Sequence, residues 1–389
     1  MKNRIVSIDI FRALTMLLMI FVNDLWTLHD IPGWLEHTTA HEDGMGLADV
    51  VFPAFLFIVG MSIPFALESR LGKGESKSKV LLHILRRTLA LVIMGFFMVN
   101  HENFRDDASQ ALRTTWEILM IIAFLLIWNN YEQKKVLGKI PVSVLQAAGI
   151  VILVVLALIY KGGSPEQPGW MKPHWWGILG LIGWAYFLCS LLYMACRNNL
   201  WIAIIFLLIL HALNVQEFAP LGGGKGFTLV VSASHYALVM SGVLATLIYK
   251  KLKDKRKLIV PMALVIPAVI SVLYGFSVRP FWGISKILAT PSWTAICAGI
   301  SFGAFALVYI VCDVLHSTRW ADILMPAGRS TLTCYLLPGL VYPLLWPLEQ
   351  LLPASFLTGL AGLVKSLLFA VLIIVLTGLL EKIKIRLKI

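Results

Sequence analysis

The sequence predicts an all-α fold, a polytopic bundle of transmembrane helices, and three observations carry that expectation. Hydrophobic residues make up 59% of the 389, only 14% are charged, and mean hydropathy is +0.82; a soluble domain would be about 25% charged. Apolar runs near the length that crosses a hydrocarbon core recur along the whole chain. Short basic connections separate them. No connection is long enough to fold alone and no internal repeat is evident, so the chain reads as one domain, 1–389.

The first two runs and the connection between them, 7–67, organise the rest. Asp9 and Arg12 open the first run, and Asn23 and Asp24 close it. His29, Asp30, Glu36, His37, His41, Glu42 and Asp43 crowd the connection, and Asp49 begins the return. Ionisable groups at membrane depth are costly and read as functional by default, so this hairpin is expected to hold the chemistry. Further spans are expected near 80–99, 115–129, 140–160, 175–196, 199–214, 227–249, 258–275, 292–313, 329–348 and 358–380. Two of them, 115–129 and 199–214, are short, so the expected number is ten to twelve. The start, "MKNR", leads into a run with no small-residue cleavage site, which reads as a retained first span.

Lysine and arginine placement orients the chain. With the N-terminus in the cytoplasm, the inner side receives Arg70 to Lys79, Arg86, Arg87, Lys250 to Lys257, Arg329 and Lys382 to Lys388. The outer side receives about threefold fewer, and both termini fall inside. The net charge of +12 sits in these short connections, so it argues for a bilayer and against nucleic acid. The five cysteines lie in or beside apolar runs without metal-type spacing and read as packed thiols. The outer loops, including "KGGSPEQPGWMKPHWW" and "EFAPLGGGKGF", are rich in Trp, Gly and Pro. Their tryptophans suit headgroup anchoring or stacking on a sugar ring.

Asp9 and Arg12 share a helical face, as a structural pair or as part of an anion site. Arg86, Arg87 and Arg329 are expected on the same side, with Ser330 beside Gly328 at a helix start. Convergent arginines suit a nucleotide-like cofactor, and equally an anionic lipid. At the opposite end, Asn23 can donate to a carbonyl oxygen on which charge develops. His37 can take a proton from a nucleophile or carry an acyl group itself. A lone Asn at a helix end is often only a cap, and a loop histidine is often only solvated; His41 competes with His37. Asp24, His41, Asp49, His235, Lys286 and Trp293 are candidate substrate-binding groups at the outer ends. "HTTAHEDGMG" lacks a helix-forming run, so His37 and His41 are not expected to bind metal. Pro53, Gly60 and Pro64 in one span suggest a kink or a widened region beside the first span.

"SIDIFRALTMLLMIFVND", "EHTTAHEDGMGLADVVFPAFLFIVGMSI", "PSWTAICAGIS" and "PAGRSTLTCYLLP" resemble the heparan-α-glucosaminide N-acetyltransferase family, most closely its bacterial members. The resemblance spans nearly the whole chain and is strongest over the first two runs. It implies an acyltransferase that takes acetyl-CoA from the cytoplasm and passes the acetyl group to an amino sugar or related glycan on the far side. It puts the catalytic asparagine on Asn23 and the catalytic histidine on His37, and it implies a homodimer. The histidine stands farther from Asp49 than in the animal pattern, and the animal enzyme's lumenal domain has no counterpart here. A secondary transporter is the alternative. It would carry broken helices in matching halves, whereas here the polar groups concentrate in one hairpin. A non-catalytic glycan- or lipid-binding partner is a third reading.

Overall fold

The computed structural model describes residues 5–389 apart from 106, 132–134, 137–139, 220–231, 350 and 352. Most of the glycine-rich stretch before the eighth expected span therefore lies outside the described residues. Among those described, ten helices are long and apolar enough to cross a membrane. They are α1 (Val6–Asp24), α2 (Leu47–Leu71), α3 (Lys77–Glu102), α4 (Gln110–Trp128), α5 (Val142–Ile159), α6 (Gly177–Cys196) and α7 (Leu200–Phe218), then, past α8 (Ala233–Leu252), α9 (Ile259–Trp282) and α10 (Pro291–Tyr309) with its continuation to Val314, and finally α14 (Gly359–Lys382). The eleventh long helix, α8, is diluted by Ser, His and Tyr but is buried along most of its length. The eleventh expected run, 329–348, is broken into α11 (Met325–Arg329), α12 (Thr331–Leu336) and α13 (Pro338–Glu349).

Local chemistry sets several boundaries. Ser76, Ser109 and Thr290 accept the N–H of Lys79, Leu112 and Trp293, capping α3, α4 and α10. Asn199 caps α7 in the same way. Each cap satisfies a donor that the first helical turn leaves open. Pro291 then starts α10 where its missing N–H costs nothing.

Hydrogen bonds between connections obey a strict alternation of sides. On one face, His29 N–H bonds Leu357, Gly44 bonds Ile284, and Arg105 bonds Lys161. On the other, Asn130 bonds Arg386, and Lys257 meets His316. The broken run crosses between the faces, because Gly328 packs on the backbone of Asp9 while Tyr342 reaches Asp24 at the far end of α1. Both chain ends thus lie on one face, the terminal face, opposite the face that carries loop 25–46.

α1, α2, α8 and α10 form the centre, and α5, α7 and α9 present their leucines and isoleucines outward. All five cysteines are buried and free. The central crossing is α2 on α8. A Cβ on Gly60 would stand 1.8 Å from the Val239 carbonyl, and one on Gly242 would stand 1.8 Å from the Phe57 carbonyl. Two backbones approach this closely only where small residues permit it, so Gly60 serves helix contact rather than a kink. We expect Gly60→Val or Gly242→Val to cost more than the ~1–3 kcal/mol of ordinary overpacking, because backbone blocks the new side chain. The protein should lose its monodisperse peak in detergent gel filtration. Gly303→Ala, which enters open space, should leave that peak unchanged.

Candidate active site

Loop 25–46 is pinned at both ends by carboxylates that have lost their solvent. Asp24 is 1% exposed and Asp49 is fully buried. Tyr342 donates to Asp24 Oδ1 at 2.8 Å and Ser366 to Oδ2 at 2.6 Å, with the Lys365 ammonium 3.2 Å from Oδ2. The expected substrate role of Asp24 thus gives way to a structural one, since its oxygens are engaged by α13 and α14.

Asp49 gathers donors from the loop itself. Thr38 N–H and Oγ donate to Oδ2 at 3.0 and 3.1 Å, and Gly46 N–H donates at 3.0 Å. His37 Nδ1 lies 2.7 Å from Oδ1. The Lys286 ammonium stands 3.8 Å from Asp49, 3.1 Å from His37 Nδ1 and 3.4 Å from Nε2. With Nδ1–H directed at the carboxylate, Nε2 is left as the proton acceptor, and the His37 side chain is 48% exposed. That is the orientation an imidazole base requires. Burial pulls the Lys286 ammonium below the ordinary lysine range, against the attraction of Asp49. Four residues predicted to matter, His37, Asp49, Lys286 and Trp293, thus meet in one cluster, although 249 positions separate His37 from Lys286.

Trp293 plays a different part from the one expected. It is fully buried, and its Nε1 donates to the backbone carbonyl of Asp49 at 3.1 Å. Pro53, four residues on, has no N–H to offer that carbonyl. The indole replaces the missing helical bond, so Trp293 repairs α2 rather than stacking on a substrate. His235 is likewise inside the bundle, its ring 5.9 Å from Phe52. His41 is exposed in the turn beyond the dyad.

The arginines converge in part. A cavity of about 290 Å³ is lined by Arg12, Arg87, Arg329 and Ser330, with Ser62 and Lys388. Arg12 donates to Ser62 Oγ at 2.7 Å, to the Gly328 carbonyl at 3.2 Å and to Asp9 at 3.1 Å. Arg87 lies 4.7 Å above the Tyr186 ring. Asp9 and the exposed Arg86 do not line this cavity. The cavity opens between α1 and α2, so the widening expected beside the first span is present although α2 runs unbroken through Pro53 and Pro64.

Asn23 lines a second cavity of about 620 Å³, together with Trp26, His101, Glu102, Glu117 and Tyr342. His37 does not line it. The two cavities share Tyr335 as a common wall. They also share one stripe of α1. Arg12, Met16 and Met19 face the first, and Ile20, Asn23 and Trp26 face the second. Arg12 and Asn23 are eleven residues apart, about three turns, which returns them to nearly the same face with about 16 Å of rise between them. His101, Glu102, Glu117 and Tyr335 escaped the sequence reading. The signal that could have found Glu117 is a lone glutamate in an otherwise uncharged apolar run.

Residues 4–221 match a family model described as a domain of unknown function, DUF5009. A stretch of 102 residues is 37% identical to heparan-alpha-glucosaminide N-acetyltransferase of Mus musculus. A stretch of 101 is 37% identical to that of Homo sapiens. Each match covers 25% of this chain and 14% of the relative, so the chain spans a small part of those proteins' length.

Replacing Asp49 with Ala removes a charged acceptor from two backbone donors, worth about 1.5–3 kcal/mol per bond. We expect hydrogen exchange at the Thr38 and Gly46 amides to rise by about 10- to 100-fold, measured by mass spectrometry of the folded protein in detergent.

Proposed function

We propose that this chain, which belongs to the DUF5009 family, is a transmembrane acetyltransferase that moves an acetyl group from acetyl-CoA to an amino sugar or related glycan across the bundle. The observation that carries the reading is the α1 stripe. One helix face runs from an arginine-lined cavity near the terminal face to the larger cavity holding Asn23 near the opposite face. Acetyl-CoA has matching ends, a polyanionic nucleotide and a thioester at the tip of an extended arm. Arg12, Arg87 and Arg329 suit the phosphates, Arg329 from the end of α11. Roughly 16 Å of helix rise is a span that an extended arm covers.

At the far end, the Asn23 amide makes no hydrogen bond among the described residues and faces the cavity, so it is free to donate to the thioester oxygen as negative charge builds there. The nucleophile's nitrogen bonds to the carbonyl carbon, the C–S bond breaks, and the departing sulfur takes a proton. His37, oriented by Asp49, is the candidate base or acyl carrier on loop 25–46. Its exposure places a proton acceptor at the mouth of the bundle, where an acceptor from outside would arrive. The excess of lysine and arginine on the terminal face supports a cytoplasmic position for that side. In a bacterium, transfer would then run outward across the inner membrane.

The purified protein in nanodiscs should transfer label from radiolabelled acetyl-CoA to glucosamine. Removing an oxyanion donor costs about 10²–10³ in turnover, so Asn23→Ala should lower the rate by that factor and leave CoA affinity within about threefold of wild type. Arg12→Ala and Arg87→Ala should do the reverse and weaken CoA binding at least tenfold by calorimetry, with Arg12→Ala also loosening α1 from α2. His37→Ala should abolish transfer while CoA still binds. Absence of both transfer and CoA binding in the wild-type protein overturns the reading.

A further inference from the structure

The two cavities are segregated by charge. Three arginines and a lysine line the smaller one, which has no aspartate or glutamate side chain on its wall. Glu102 and Glu117 line the larger, which has no lysine or arginine on its wall. Tyr335 stands between them. A cavity of about 620 Å³ is of a size that holds a small-molecule ligand. A carboxylate in such a place is expensive unless a cation comes to it.

Glu117 is the better placed of the two. One of its carboxylate oxygens lies 3.8 Å from His101 Nε2, and both side chains are about a quarter exposed, towards the cavity they line. The His101 ring is held flat against Trp116, with centroids 5.9 Å apart and planes 12° from parallel. A neutral imidazole keeps one nitrogen able to accept a proton. Trp116 is itself fixed, fully buried with its indole donating to the Leu156 carbonyl at 2.9 Å. Trp26 and Tyr342 bring aromatic faces to the same wall. Aromatic faces with one or two carboxylates are what a sugar ring bearing an ammonium group requires: C–H groups on the rings and a counterion for the charge.

We propose that the Asn23 cavity is the acceptor site, that it selects a primary ammonium on a sugar-sized molecule through Glu117 and Glu102, and that His101 takes the proton which makes that nitrogen nucleophilic. The proposal rests on the acetyl-transfer reading for its second half only. The ammonium gives one proton to the imidazole, and the neutral amine attacks the thioester carbon under Asn23. The C–S bond breaks, the thiolate takes a proton, and the amide leaves uncharged. Glu117 holds the charge before that step and faces the imidazolium after it. His37, at the loop face, then serves a step of the transfer other than this deprotonation.

Binding tests the first half without any catalysis. Calorimetry with glucosamine and with glucose, in the presence of desulfo-CoA as a non-reactive carrier, should show at least a tenfold preference for the amine. Glu117→Gln, alone or with Glu102→Gln, should erase that preference and leave CoA affinity unchanged. Equal binding of the two sugars by wild type, or an undiminished preference in the double variant, overturns the proposal. Nucleophile choice tests the second half. A general base contributes about 10²–10⁴, so His101→Asn should slow acetylation of glucosamine at least 100-fold. Hydroxylamine is already neutral near pH 7, and its acetylation by the same variant should fall less than tenfold. If both fall together, His101 is only structural; if neither falls, it has no part. Should wild type acetylate nothing yet still prefer the amine, the transfer reading fails while the ammonium site stands.

Discussion

Two carboxylates that cannot reach water hold the site in place. An unpaired buried ion costs several kcal/mol even after relaxation, so Asp24 and Asp49 constrain everything that must come to them. Asp24 requires Tyr342, Ser366 and Lys365 from the C-terminal third of the chain. Asp49 requires Thr38, Gly46 and His37 from its own loop, with Lys286 arriving from the connection before α10. The loop between them therefore has both ends fastened to parts of the chain far away in sequence. Gly46 completes the fastening, because a Cβ there would stand 1.9 Å from the Glu36 carbonyl.

The rotation of α1 follows from the same pairing. Successive helical residues differ by about 100°. Once Asp24 is committed to α13 and α14, Asn23 must look elsewhere, and it looks into the larger cavity. At the other end, Arg12 is bound by Ser62 on α2 and by the Gly328 carbonyl on α11. A helix fixed in rotation at both ends presents its remaining stripe, Met16, Met19 and Ile20, to the two cavities while these side chains stay packed in the core. Its small size at the crossing with α11 reinforces this, since Gly328 lets the backbone of Asp9 come close.

The fold was legible because a bilayer leaves few choices. Apolar length alone located each long helix, and the alternation of polar connections is repeated in the hydrogen bonds between loops. Pro338 stands just past the end of α12, but the short pieces of the eleventh run depend on contacts that no local pattern encodes. The candidate site, as the geometry assembles it, was legible in part. Polar residues at the ends of the first two spans stand out against apolar neighbours, so Asn23, His37 and Asp49 could be singled out. Their partners could not be assigned, because Lys286 meets His37 across 249 positions. Trp293 looked like a sugar platform, yet the deciding fact was a carbonyl orphaned by Pro53, visible only once α2 and α10 are side by side. Glu117 and His101 were missed because each reads alone as an ordinary residue at a helix end or mid-helix.

Charge segregation across Tyr335 also bears on the direction of transfer. On the proposed reading acetyl-CoA would enter as an anion and the acceptor as a cation, so each would be repelled from the other's cavity as well as drawn to its own. Attraction and exclusion together give discrimination that neither supplies alone. Acetylation would then remove the acceptor's charge, and with it the interaction proposed to hold the molecule beside Glu117. A loss of even ~1.4 kcal/mol weakens product binding tenfold relative to substrate. The carboxylates in the Asn23 cavity would thus both admit the amine and release the amide, while the arginines keep the carrier on its own side of the bundle.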